Sequence, residues 1–103
     1  MLDGIHKIHL IGIAGSGMRA IANILISQGF QVSGSDIKES AVTERFRSMG
    51  ATIHIGHKAE YVNGTDAVVR STAIHDDNPE LMAAKEKGIP ILHRSDIVKA
   101  VLD

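Results

Sequence analysis

Cysteine and tryptophan are absent from the sequence, proline occurs twice, and one tyrosine and two phenylalanines are the only aromatic residues. Without cysteine there is no disulfide framework, no thiolate nucleophile and no zinc-finger spacing, so nothing marks an oxidising compartment. Three aromatic rings offer little surface on which single-stranded bases could stack. Charge is balanced too: eleven Lys and Arg against twelve Asp and Glu leave a net −1, and no basic field exists to hold a phosphate backbone. Nucleic acid is therefore not an expected partner. No apolar run approaches the ~20 residues that span a bilayer. The stretch from Ile8 to Ala14 is short, opens onto Gly15-Ser16-Gly17 and lacks an Ala-x-Ala-like cleavage site. A cytoplasmic location away from membranes is the expectation.

What remains is a chain of 103 residues, 44% hydrophobic and 22% charged. Five strands of about 5 residues, four helices of about 11 and eight links of about 4 consume roughly 100 residues. One α/β domain over 1–103 uses up the sequence and leaves no room for a second, catalytic domain.

Periodicity orders the elements. Lys7 to Ile13 is an apolar, β-rich run ending in glycines, as in a strand buried on both faces. From Ser16 to Gln28, Met18, Ile21, Ala22 and Leu25 recur at helical spacing, and Gly29 closes the helix. Phe30 to Ser35 is a second strand. Ser40 caps a helix with Val42, Phe46 and Met49 on one face and Gly50 as its stop. Thr52 to Ile55 is a third strand, His57 to Gly64 a polar connection with one helical turn, and Ala67 to Arg70 a fourth strand. Asn78-Pro79-Glu80 then reads as N-cap, first helical residue and a negative charge on the positive helix end, with the helix running to Lys87. Ile89 to Leu92 is a fifth strand, placed at a sheet edge by Pro90. Ser95 caps a last helix carrying Ile97, Val98, Val101 and Leu102, whose apolar face is still running at Asp103 and suggests a cut. This order predicts a doubly wound parallel sheet with helices on both faces. Its ligand crevice lies outside the carboxyl ends of the strands, where strand order reverses.

Gly12 to Gly17 follows a strand and opens a helix, the context in which backbone N–H groups and a positive helix end meet a phosphate. Asp36, 19 residues after Gly17, stands where dinucleotide folds place the acid that grips a ribose. His57 follows the third strand, where it either faces the crevice and donates to a ligand or is a plain surface histidine. Arg19, early in the first helix, is a further candidate for an anionic ligand or a solvated side chain. Six histidines lack helical i, i+4 pairing, so no metal site is expected. Ser71, Thr72 and His75 lie too close together on one turn to form a triad, so no catalytic residue is assigned. Neither Gly-Lys-Thr nor Gly-Lys-Ser occurs, so the phosphate loop that handles ATP is missing.

The segments IHLIGIAGSGM, QGFQVSGSD, GATIHIGH, STAIHDDNPEL and GIPILHRSDI cover nearly the whole chain. In that order they resemble the N-terminal domain of the Mur ligases, nearest to the branch that adds L-alanine to UDP-N-acetylmuramate. Murein peptide ligases are similar in the same region but fit less well around the glycine loop and Asn78-Pro79-Glu80. The resemblance implies a Rossmann-like domain that binds the UDP part of the sugar nucleotide, with no cofactor of its own. ATP and Mg²⁺ then belong to a central domain and the amino acid to a C-terminal one, and this chain alone binds without ligating. It places the diphosphate at Gly15, Ser16, Gly17 and Met18, the uridine at Asp36 and Ile37, and Ser35, His57, Ser71, Thr72 and Ala73 along the rim. Ala14 stands where the family usually has glycine, and its methyl narrows the approach of a diphosphate. Arg19 replaces a small residue. Two other readings explain less of the sequence: an NAD-binding domain of an oxidoreductase, resting on loop and acid alone, and a stand-alone nucleotide-sensing module.

Overall fold

The computed structural model describes residues 2–102. The side chains of Val101 and Leu102, half of the apolar face expected for the last helix, and Asp103 lie outside that description. Five strands form one parallel sheet: β1 (Lys7–Ile11), β2 (Gln31–Asp36), β3 (Thr52–Ile55), β4 (Ala67–Arg70) and β5 (Ile91–His93). Their order is β3-β2-β1-β4-β5, so the chain winds outward from β1 in one direction and then returns to wind in the other. The connections carry α1 (Ser16–Ser27), α2 (Ala41–Ser48), a short 3₁₀ helix (Ala59–Val62), α3 (Pro79–Glu86) and α4 (Arg94–Leu102). No helix among the described residues is long and apolar enough to cross a membrane.

Alternation along the strands sorts the core into two layers. Ile8 and Leu10 of β1 pack with Met18, Ile21 and Leu25 of α1, Phe46 of α2 and Ile97 of α4. Ile11 and Val68 point the other way, against Val62, Leu81 and Ala84 of the 3₁₀ helix and α3. Each fully buried Ile, Leu or Phe contributes about 1.5–3 kcal/mol of transfer free energy. The caps of α2 and α3 are those the sequence announces. Ser40 and Thr43 form a reciprocal capping box, and Asn78 Oδ1 accepts from the N–H groups of Glu80 and Leu81 at 2.9 and 3.3 Å.

The bounds of β1, β2, β5 and α4 differ from the sequence expectation, each for a local reason. β1 ends at Ile11 rather than Ile13, because Gly12 takes φ +74° and the N–H groups of Gly12 and Ile13 both turn onto the Ser35 carbonyl. β2 starts one residue after Phe30, whose N–H closes α1 on the Leu25 carbonyl, and extends one residue further to Asp36. β5 is Ile91–His93 rather than Ile89 to Leu92, since Ile89 N–H is spent on the Ala84 carbonyl at the end of α3. Ser95 does not cap α4. The helix starts at Arg94, and His93 and Asp96 do the capping: the Asp96 carboxylate accepts from His93 N–H, and His93 Nδ1 accepts from Ser95 N–H.

Candidate functional site

Reversal of strand order between β1 and β4 splits the chain at their carboxyl ends, and a cleft of about 360 Å³ opens there. One wall is the glycine loop and the start of α1 (Gly12 and Gly15 to Met18); the other is Ser71 to Ile74, after β4. Asp36 and Arg94 complete the lining. A larger groove of about 460 Å³ lies at the opposite end of the sheet, over the strand starts. It exists because only the 3₁₀ helix covers that part of β2 and β3, with Tyr61 stacked on His54 at 3.9 Å. The cleft at the carboxyl ends is the one that combines a strand reversal with a helix N-terminus.

Hydrogen bonds fix the loop before any ligand arrives. Gly15 N–H bonds the Gly12 carbonyl at 2.9 Å, closing a tight turn, and a Cβ on Gly15 would sit 3.1 Å from that same oxygen. Asp36 Oδ2 accepts from Ala14 N–H at 3.0 Å while its Oδ1 accepts from Ile37 N–H at 2.8 Å. The acid after β2 thus clamps the loop that follows β1. At the helix start, Gly15 supplies no side-chain cap and the first turn of α1 contains no acidic residue, so its positive end is left uncompensated by the protein.

A second polar cluster lies buried between α3 and the sheet. The Glu80 side chain is fully buried, with Oε1 accepting from His9 Nε2 at 2.5 Å and from Ser35 Oγ at 2.8 Å. Its Oε2 accepts from His57 Nδ1 at 2.7 Å. His9 Nδ1 in turn meets Ser33 Oγ at 2.8 Å. Burial raises the Glu80 pKa, but the hydrogen bonds from His9 and Ser35, the charge of His9 and the His57 hydrogen bond outweigh it, and the carboxyl is held below its ordinary range. These contacts supply the pairing that a buried carboxylate needs.

The structure gathers most of the residues singled out in the sequence and rearranges the rest. Gly15, Ser16, Gly17, Met18, Asp36, Ser71, Thr72 and Ala73 all line the cleft. Ser35 is buried below it on Glu80. Ile37 is 73% exposed and outside the lining. His57 is also outside the lining, with its Nδ1 turned inward to Glu80 Oε2 at 2.7 Å. Ala14 does not line the cleft, and Arg19 Nε donates to the Ala14 carbonyl at 2.8 Å. Among the described residues no group of three His, Asp or Glu side chains is placed so as to hold a metal ion. Two residues escaped the sequence reading. Glu80 reads locally as a helix-dipole partner, and its role comes from strands 45 and 71 residues away. Arg94 gave no signal: with Ser95 read as the cap it fell outside the helix, and the structure makes it the first residue of α4.

Comparison with known proteins agrees with this architecture. The family model described as "Mur ligase family, catalytic domain" matches residues 7–103. UDP-N-acetylmuramate-L-alanine ligases of Syntrophobacter fumaroxidans and Trichlorobacter lovleyi are 49% and 47% identical over 99% of the chain. The chain spans 22% of the length of each of these curated relatives. The crystal structure of UDP-N-acetylmuramate-alanine ligase MurC from Thermotoga maritima superimposes with a TM-score of 0.87 at 38% identity, over 93% of this chain and 22% of that one. Parallel sheet, strand reversal and glycine loop thus occur together in a sequence that this family's model spans almost from end to end, and the chain belongs to the Mur ligase family.

Proposed function

We propose that this chain is the UDP-binding domain of a ligase that joins L-alanine to UDP-N-acetylmuramate. The observation that carries the reading is the cleft itself: an uncapped helix start, a loop clamped by Asp36, and the facing segment Ser71 to Ile74 meet at the strand reversal. The names and 47–49% identity of the relatives supply the substrate. The diphosphate sits on the N–H groups of Ser16 and Gly17, with Gly15 and Met18 beside it. Asp36 faces the uridine with the lone pairs that the loop leaves over, since a carboxylate offers about four acceptor positions. Ile37 flanks the base, while Ser71, Thr72 and Ala73 form the far wall.

His57 and Ser35 act on this site from outside the cleft lining, through the Glu80 cluster. For ATP and its Mg²⁺ the sequence offers no lysine-bearing phosphate loop. They and L-alanine are assigned to parts of the longer ligase that this chain does not span, and the chain by itself recognises substrate without ligating it. A cytoplasmic location goes with that reading.

Calorimetric titration with UDP-N-acetylmuramate, UDP, NADH and ATP at equal concentration tests the proposal. Each tenfold preference is about 1.4 kcal/mol, so a modest selection is measurable. The uridine nucleotides are expected to bind in preference to the other two. Binding of NADH without the uridine nucleotides would replace this reading with that of an oxidoreductase domain.

A further inference from the structure

The third glycine of the loop is occupied by the protein's own side chain. A Cβ on Gly17 would lie 2.9 Å from Nε and 3.1 Å from Cζ of Arg94, so the guanidinium rests over the one position of α1 without a side chain. Arg94 comes from the far side of the cleft, directly after β5, and lines the cleft beside Ser16 and Ser71. Arg94 is exposed at the cleft and, like Arg45, makes no side-chain hydrogen bond or ion pair among the described residues, whereas Arg47 pairs with Glu39, Arg70 with Asp76, and Arg19 is bonded to a carbonyl. Asp36, the carboxylate of the lining, accepts from the N–H groups of Ala14 and Ile37 and forms no salt bridge with it. The local helix also disfavours a cation there, because Arg94 is the first residue of α4 and faces the positive end of that helix's dipole.

We propose that Arg94 is the counter-charge of the cleft: its guanidinium, seated on Gly17, binds the diphosphate of the nucleotide, and residue 17 is glycine to admit it. This rests on the UDP-binding reading and adds to it the residue that selects a diphosphate over an uncharged nucleoside. Guanidinium suits the task because its planar N–H fork bonds phosphate oxygens in pairs, which an ammonium does not.

The test is titration of the wild-type chain, Arg94→Ala and Arg94→Lys with UDP, uridine and inorganic pyrophosphate at low and high salt. Heteronuclear spectra of each variant establish that it is folded. Arg94→Ala is expected to lower UDP affinity tenfold or more, to weaken pyrophosphate likewise and to leave uridine within twofold, with Arg94→Lys in between. The salt dependence of UDP binding should become shallower in Arg94→Ala. Unchanged UDP affinity in a folded Arg94→Ala, where the wild type binds UDP, overturns the role of Arg94 alone. Failure of the wild type to bind UDP overturns the underlying reading and this one with it. Should Arg94→Ala not fold, Arg94→Gln carries the same comparison.

Discussion

His9 in the central strand β1 and Glu80 in the first turn of α3 are joined side chain to side chain at 2.5 Å, both fully buried, across 71 residues of sequence. This bond, with those from Ser35 and His57, ties α3 to β1, β2 and the connection after β3. The same side of the sheet carries Ser33 on β2 and Thr52 on β3, so the second layer of the fold is held partly by hydrogen bonds where the first is held by aliphatic packing.

Replacing the acid should expose that difference. Glu80→Gln keeps the volume but presents an amide N–H₂ to groups that now donate, and is expected to cost about 1–3 kcal/mol in urea denaturation at neutral pH. The loss should depend on pH in a definite sense. The carboxyl is held below its ordinary range in the folded chain, so its contribution is complete above the unfolded pKa of about 4.3 and is lost as pH falls through the lower folded value. The wild-type advantage over Glu80→Gln is therefore expected to shrink as pH falls below about 4. An advantage that stays level through acid would show that the charge is not what matters.

Asp36 tests whether the loop is clamped. Asp36→Ala removes the acceptor for Ala14 N–H and should weaken UDP binding by about tenfold, the scale of one charge-assisted hydrogen bond, with a stability loss of only about 1 kcal/mol. Faster amide exchange at Ala14 is the accompanying sign. Asp36→Asn, which keeps one acceptor oxygen, should fall between the variant and the wild type. Equal UDP affinity in all three would remove Asp36 from the site.

Two glycines next to the cleft should respond in opposite ways to the same methyl group. A Cβ on Gly34 would lie 2.6 to 2.9 Å from three atoms of the buried Ile13 side chain, which the core holds in place. Gly34→Ala is expected to lower stability by about 1–3 kcal/mol. On Gly17 the methyl meets the flexible end of Arg94, which can swing away. Gly17→Ala should thus stay within about 1 kcal/mol of wild-type stability in thermal unfolding yet weaken UDP binding by moving the guanidinium.

Legibility in the sequence followed the range of the interactions. The caps at Asn78 and Ser40 and the strand–glycine–helix turn at Gly12 are decided within four or five residues, and their sequence signatures were sufficient. Strand ends were less legible, because the ladder stops where a backbone N–H finds a different carbonyl, as at Gly12 and Ile89. The glycine loop, Asp36 and Ser71 to Ala73 could be placed on one rim from topology alone. His57 could not be oriented, since its direction depends on Glu80, which the chain brings in from α3. Arg94 was invisible for the same reason: its seat is Gly17, 77 positions earlier, and no local pattern joins the two.

Backbone amide chemical shifts of the 103-residue chain, followed while UDP is titrated in, test the location of the nucleotide most directly. Shifts are expected at Gly15 to Met18 and Ser71 to Ile74, the two walls of the cleft, with Arg94 Nε moving alongside them. Shifts confined to Lys7, Thr52 and Tyr61 in the opposite groove, or none at saturating UDP, would contradict it.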